Sequence, residues 1–206
     1  VHNLFVEMHP GRMSILDFHS ARADFYFLLR KGQSVRRLWT GPALLAPFLP
    51  KFGALMLHAA AVSRQGRTAV FLAPDEGGKT TASLLAPSGT ILGDDQVIVR
   101  RRRGRFRVWG TPWGRHTDAH ACSQLSGLFV LKKAKSFALD PLPRRALIPL
   151  VWEESKISLA ILPKPLKEKA FAVLCDIARS APCWTLSFPK NHINWNEIDA
   201  ALRRKA

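Results

Sequence analysis

Residues 73–81, Ala73-Pro74-Asp75-Glu76-Gly77-Gly78-Lys79-Thr80-Thr81, have the residue types and spacing of a phosphate-binding loop. The pattern is Ala or Gly, four variable positions, then Gly-Lys-Ser/Thr. Glycines at 77 and 78 let backbone N–H groups turn inward around phosphate oxygens with no Cβ in the way. Lys79 supplies a positive charge to the β- and γ-phosphates, and the Thr80 hydroxyl is suited to ligate a bridging Mg²⁺. Ala73, Asp75, Glu76, Gly77, Gly78, Lys79, Thr80 and Thr81 are therefore the candidate nucleotide-binding residues, with ATP and Mg²⁺ as expected ligands. Asp75 and Glu76 are unusual in an anion site, so their carboxylates are expected to point outward.

About fifteen residues further on, Asp94 and Asp95 follow a short apolar run. A carboxylate there can reach a metal or the attacking hydroxyl, which makes both residues catalytic candidates and Asp95 a metal candidate with Thr80. Neighbouring strand residues face opposite ways, so both can serve one site only if the strand ends at Gly93. His58 sits inside an apolar run just before the loop strand, where it can contact a transferring phosphate. His116, Asp118, His120 and Cys122 alternate like a row of metal ligands, but the polar segment after Pro112 reads better as a solvent-facing loop or lid. Arg100 to Arg103, Arg105 and Arg107 concentrate charge on one predicted hairpin, able to steer an acidic peptide or a polynucleotide.

The elements that must position these groups are visible in the apolar pattern. Leu55–Ser63 and Thr68–Leu72 read as buried strands joined at Gln65-Gly66, and the second leads into the glycine loop. Ala82–Ala86 favours a short helix stopped by Pro87. Thr90–Leu92 is a short strand, and Gln96–Arg101 and Arg105–Trp109 form a hairpin about Arg103-Gly104. Leu125–Leu131 and Cys183–Phe188 read as strands; Leu166–Ser180 and Trp195–Arg204 read as helices. Phe25–Leu29, before a turn at Lys31-Gly32, is the strongest strand signal in residues 1–40, which read as flanking structure.

The bulk composition limits the choices. The chain has 206 residues, 47% of them apolar, which fits one domain spanning 1–206 with its core motifs in 54–115. Three cysteines without C-x-x-C spacing imply neither a disulfide framework nor a cysteine zinc site. The first twenty residues lack a secretory pattern, and Pro42, Pro47, Pro50, Lys51 and His58 interrupt the apolar window 41–62, so a cytoplasmic protein without a membrane span is expected. A formal charge of +16, from 31 Lys and Arg against 15 Asp and Glu, favours anionic partners.

Three segments together resemble a known family: Leu57–Val62 (LHAAAV), Ala69–Ala82 (AVFLAPDEGGKTTA) and Ile91–Val99 (ILGDDQVIV) look like HPr kinase/phosphorylase and its relatives, a group that includes ATP-dependent phosphoenolpyruvate carboxykinase. Gly110-Thr111-Pro112-Trp113-Gly114 is similar to a segment in uncharacterised members. The resemblance implies an α/β fold with a mixed, strongly twisted sheet, a P-loop and flanking helices. It also implies that Lys79 and Thr80 hold phosphates and Mg²⁺, that His58 lies beside the phosphate, and that Asp94 or Asp95 is the base. Ala73, Asp75 and Glu76 depart from the small residues usual in that loop. The expected activity is an ATP- and Mg²⁺-dependent phosphotransferase acting on a serine-like hydroxyl of a peptide, protein or metabolite. The rival readings are a non-catalytic nucleotide-binding regulatory module and a basic nucleic-acid-binding protein; a homo-oligomer stays open.

Overall fold

The computed structural model describes residues 4–29, 31, 42, 45–118, 120–154 and 161–204. Strands β1 (Leu4–His9), β2 (Arg12–Asp17) and β3 (Arg22–Phe27) form a small antiparallel sheet. The main sheet contains β4 (Ala54–Arg64), β5 (Arg67–Leu72), β6 (Thr90–Gly93), β7 (Gln96–Arg102), β8 (Arg105–Trp109), β9 (Cys122–Lys133), β10 (Ala138–Pro141) and β11 (Cys183–Phe188). Its order is β10-β11-β9-β5-β4-β7-β8, with β6 paired to β4. The β5–β9 and β9–β11 pairs are parallel and the others antiparallel, so the fold is mixed α/β.

A ring closes within this sheet. The long strand β9 pairs with β5 along one edge, and on the other edge with β8 through Cys122–Gln124 and with β11 through Leu128–Lys133. β9, β5, β4, β7 and β8 are thus joined in a continuous circuit of backbone hydrogen bonds, which demands strong sheet twist.

Both faces of the central strands are buried, which is why β4 and β5 read as near-continuous apolar runs. Leu55, Leu57, Ala59 and Ala61 of β4, with Val70 and Leu72 of β5, face one core. Helices α2 (Arg144–Glu154) and α3 (Lys164–Ser180) cover it with Leu147, Val151, Leu174 and Ile177, and a 3-10 turn at Ala46–Phe52 adds Phe48. The alternate residues Ala60, Val62, Ala69 and Phe71 face a second core beneath α1 (Lys79–Leu84) and α4 (Trp195–Arg203). There Phe71 packs 5.6 Å from Phe129 and edge-on to Trp195 at 5.8 Å.

Both hairpin turns have the conformation the sequence predicts. Gln65 and Gly66 take φ of 49° and 74°, and Arg103 and Gly104 take 50° and 78°, the left-handed pair that suits a two-residue hairpin. Two expectations are corrected. β3 starts at Arg22 and ends at Phe27, because the small sheet pairs Arg12–Asp17 with Arg22–Phe27; Leu28 instead donates its N–H to Gly11 O. β9 begins three residues earlier than its apolar run, since its polar start is recruited by β8. Residues 144–154 form a helix in spite of Pro149. In the expected turn at Lys31-Gly32, Gly32 lies outside the described residues, as does Lys205 after the last helix. Among the described residues no helix is long and apolar enough to cross a membrane.

Candidate functional site

The strand register brings the candidate residues together beside the middle of β4, where β5 ends and β7 begins. Leu72 ends β5 opposite Ala59 of β4, and the neighbouring His58 lies opposite Gln96, the first residue of β7. His58 is an even-numbered β4 position, so it shares a face with Ala60 and Val62, the side on which α1 sits.

The loop between Leu72 and α1 is tight. The Gly77 N–H donates to Pro74 O at 3.0 Å, and a Cβ at Gly77 would fall 2.5 Å from Ala73 Cβ and 2.8 Å from Pro74 O. Gly78 has φ of 99°, a conformation natural to glycine, and its carbonyl accepts the first helical hydrogen bond, from Ala82 N–H at 2.8 Å. Lys79 opens the helix and is 7% exposed. Its Nζ donates to Ala73 O at 2.7 Å and Pro74 O at 3.1 Å, so the ammonium is held in the curl of the loop.

Asp75 does not point away from the cleft as expected. Its Oδ1 lies 3.2 Å from His58 Nε2 and 4.0 Å from Lys79 Nζ, although the side chain is 91% exposed. The attraction of the lysine and imidazole draws the carboxylate across the opening.

The two aspartates part company. β6 ends at Gly93, and Asp94 and Asp95 form the bend before β7. The Asp94 carboxylate is buried and accepts the Arg115 N–H at 3.1 and 3.2 Å, while its carbonyl accepts the Thr80 hydroxyl at 3.4 Å. Asp95 turns the other way, with Oδ1 3.3 Å from His58 Nε2. That hydrogen bond, aided by the charges of His58 and Lys79, holds the Asp95 carboxyl below its ordinary value against the opposing effect of burial.

His58, Lys79, Thr80, Asp94, Asp95 and the loop from Asp75 to Thr81 line one cleft of about 230 Å³. Ala73 sits behind it, fully packed in the second core, and reaches the site through the carbonyl that holds Lys79.

Residues 110–118 were readable only as a lid-like loop, yet they fix Asp94. A Cβ at Gly114 would overlap Asp94 Oδ1, and one at Gly110 would overlap the Asp118 carbonyl. Thr111 is buried and donates its hydroxyl to Gln96 O at 2.7 Å; Asp118 N–H donates to Ile91 O at 2.9 Å. Gly114 and the Arg115 N–H are thus site-shaping groups that a search for chemically active side chains passes over. The signal was the pair of glycines flanking Pro112-Trp113. His116, Asp118 and His120 are exposed on irregular chain, and Cys122 belongs to β9. Among the described residues no group of three or more His, Cys, Asp and Glu is arranged to hold a metal ion. Burial pushes the Cys183 thiol up to about 11, so it stays protonated and inert at neutral pH.

Comparison with known proteins gives three findings. The family model of SynChlorMet cassette protein ScmC matches residues 48–203. No curated protein matches the chain. Among solved structures, the Hpr(Ser) kinase/phosphatase from Coxiella burnetii aligns with 72% of this chain and 88% of its own, at a TM-score of 0.34 and 10% sequence identity.

Proposed function

The chain belongs to the SynChlorMet cassette protein ScmC family, and within that family we propose that it is a nucleotide-dependent phosphotransferase, transferring the γ-phosphoryl of ATP to a serine-like hydroxyl on a peptide, protein or small molecule. The observation that carries this reading is the convergence in one cleft of the Gly77-Gly78-Lys79 loop with the His58–Asp95 pair. In it the loop acts as a P-loop. Lys79 exchanges the Ala73 and Pro74 carbonyls for β- and γ-phosphate oxygens, and the glycine backbone N–H groups line the phosphates.

Thr80 and Asp95 offer hard oxygen donors of the kind Mg²⁺ prefers, and the metal would supply charge neutralisation on the phosphates. Asp95 accepts the proton of the acceptor hydroxyl as its oxygen bonds to the γ-phosphorus and the bond to the β-phosphate oxygen breaks. A carboxylate with a lowered pKa is a weak base. That is acceptable where the transition state is loose, because alignment of the hydroxyl counts for more than early proton removal. His58 fixes the Asp95 carboxylate in position, and Asp94 holds the 110–118 loop.

Calorimetric titration with MgATP, paired with a phosphoryl-transfer assay on serine-containing acceptors, tests the proposal. Lys79→Ala is expected to weaken MgATP binding by tenfold or more. Asp95→Asn should bind within a few-fold of the natural chain, while turnover falls by about 10²–10⁴. Equal binding by all three proteins would sink the reading; binding without transfer to any acceptor would leave a nucleotide-sensing module in its place.

A further inference from the structure

Where the strand ring closes through β9, the surface is built from arginine. Along β4 the turn between Arg64 and Arg67 and the turn between Arg102 and Arg105 lie at opposite ends, and closure of the ring through β9 brings Arg67 and Arg105 to one recess. In register, Gln124 of β9 lies between Arg67 of β5 and Arg107 of β8. Two recesses of about 490 Å³ each open here and share Arg105 and Gln124, whose side chains are linked at 3.3 Å; Arg67, Arg203 and Arg204 line one, and Arg102 and Arg103 the other. A third recess of about 380 Å³ adjoins them through Arg105. Asp176 is the one acidic residue among the described lining residues of all three, and it is engaged by Arg101 at 3.7 Å and Arg179 at 3.2 Å.

The surface offers charge and little else. β8 is paired along its length by β7 and over Arg107–Trp109 by β9, which leaves only Arg105 and Phe106 on a free edge, too short for a peptide to add as a strand. Of the apolar lining residues, Leu125, Leu202 and Phe106 are buried and Pro182 is half-buried, and Arg101 lies over the Phe106 ring, so the described lining residues present no large apolar anchor and no base-stacking platform. A partner must therefore be held by anionic groups repeated closely along its backbone. Duplex nucleic acid has one such charge per about 1.7 Å of axis, and guanidinium forks match its phosphates.

We propose that this arginine-lined cradle is a second binding site, one that grips the phosphate backbone of double-stranded nucleic acid without reading its sequence. It is independent of nucleotide binding at the glycine loop, whose cleft shares no lining residue with it.

The test is fluorescence anisotropy with a labelled 20-base-pair DNA duplex. If about five phosphates are engaged, affinity should fall roughly 500-fold between 50 and 200 mM KCl. A combined Arg102→Gln, Arg103→Asn and Arg105→Gln variant, with asparagine chosen because position 103 has φ of 50°, should bind at least tenfold more weakly at 50 mM KCl and show a shallower salt slope. Lys132→Gln with Lys133→Gln and Lys135→Gln removes the same charge elsewhere and should bind within threefold of the natural chain, as should Lys79→Ala, which separates this site from the proposed phosphotransferase. Thermal midpoints no lower than that of the natural chain certify the variants. No binding at 50 mM KCl, equal losses in the arginine and lysine variants, or displacement of the duplex by poly-L-glutamate as effectively as by unlabelled duplex would each overturn the proposal, the last in favour of an acidic polypeptide.

Discussion

Asp94 and Asp95 are identical in type and adjacent in sequence, yet one supports a loop and the other faces the cleft. The difference is long-range: the chain returns some twenty residues later and presents the Arg115 N–H to Asp94, leaving Asp95 to His58. Because hydrogen bonding to His58 lowers the Asp95 pKa, the unfolded chain takes up a proton on this residue at a higher pH than the folded one. Asp95 therefore adds stability that is fully present above about pH 4, the ordinary carboxylate value, and is lost as pH falls through the lowered folded value. Urea unfolding of the natural chain and Asp95→Asn should differ most above the ordinary carboxylate range and converge as pH falls through the lowered folded value. A difference that is constant with pH would show that the His58 contact does not act through the charge of Asp95. The place of Lys79, Gly77 and Gly78 on one tight turn between strand and helix was legible from the sequence because it is local to one loop. The inward turn of Asp75 was not, because it depends on where β4 delivers His58.

Among the elements, those with a one-element signature were readable and those defined by their partners were not. β5 and β11 announce themselves by apolar runs and α3 by its apolar periodicity, whereas the polar start of β9 is a strand only because β8 lies beside it. Helix α2 buries Leu147 and Val151 at helical spacing, but Pro149 between them masks the pattern. Helix α4 shows how one polar contact ties an element down. Arg64 at the end of β4 meets Asp199 at 3.2 Å, with both side chains mostly buried, and its guanidinium lies 5.2 Å from the Trp195 ring centre. Arg64 Nε and Nη1 find no other partner, so the carboxylate is its principal compensation. Asp199→Ala should destabilise the protein by about 2–4 kcal/mol, because it strands a buried charge. Arg64→Met with Asp199→Leu, which removes both charges and keeps apolar volume, should recover most of that loss in urea unfolding. Failure of the double variant to recover would mean that the cation–ring contact, rather than the ion pair, holds α4.

For the whole molecule, charge and connectivity act on different terms of stability. The closed strand ring and two cores on either side of β4 and β5 supply the cohesion, and ring closure through three residues of β8 and β9 leaves no mark in local sequence. Charge, by contrast, is fully legible: 31 basic against 15 acidic residues must repel one another in the compact state. Much of that repulsion is gathered at the arginine-lined recesses, where Asp176 alone among the described lining residues offsets it. Mobile ions screen such charges over about 10 Å at 0.1 M ionic strength, so adding KCl should stabilise the fold rather than weaken it. If screening relieves on the order of 1–2 kcal/mol, a domain of this size should gain about 2–8 °C in thermal midpoint between 20 and 300 mM KCl. The variant lacking Arg102, Arg103 and Arg105 should begin from a higher midpoint at 20 mM and gain less. A midpoint that falls with salt would instead show that surface ion pairs such as Arg22–Asp24, at 2.9 Å, outweigh the repulsion.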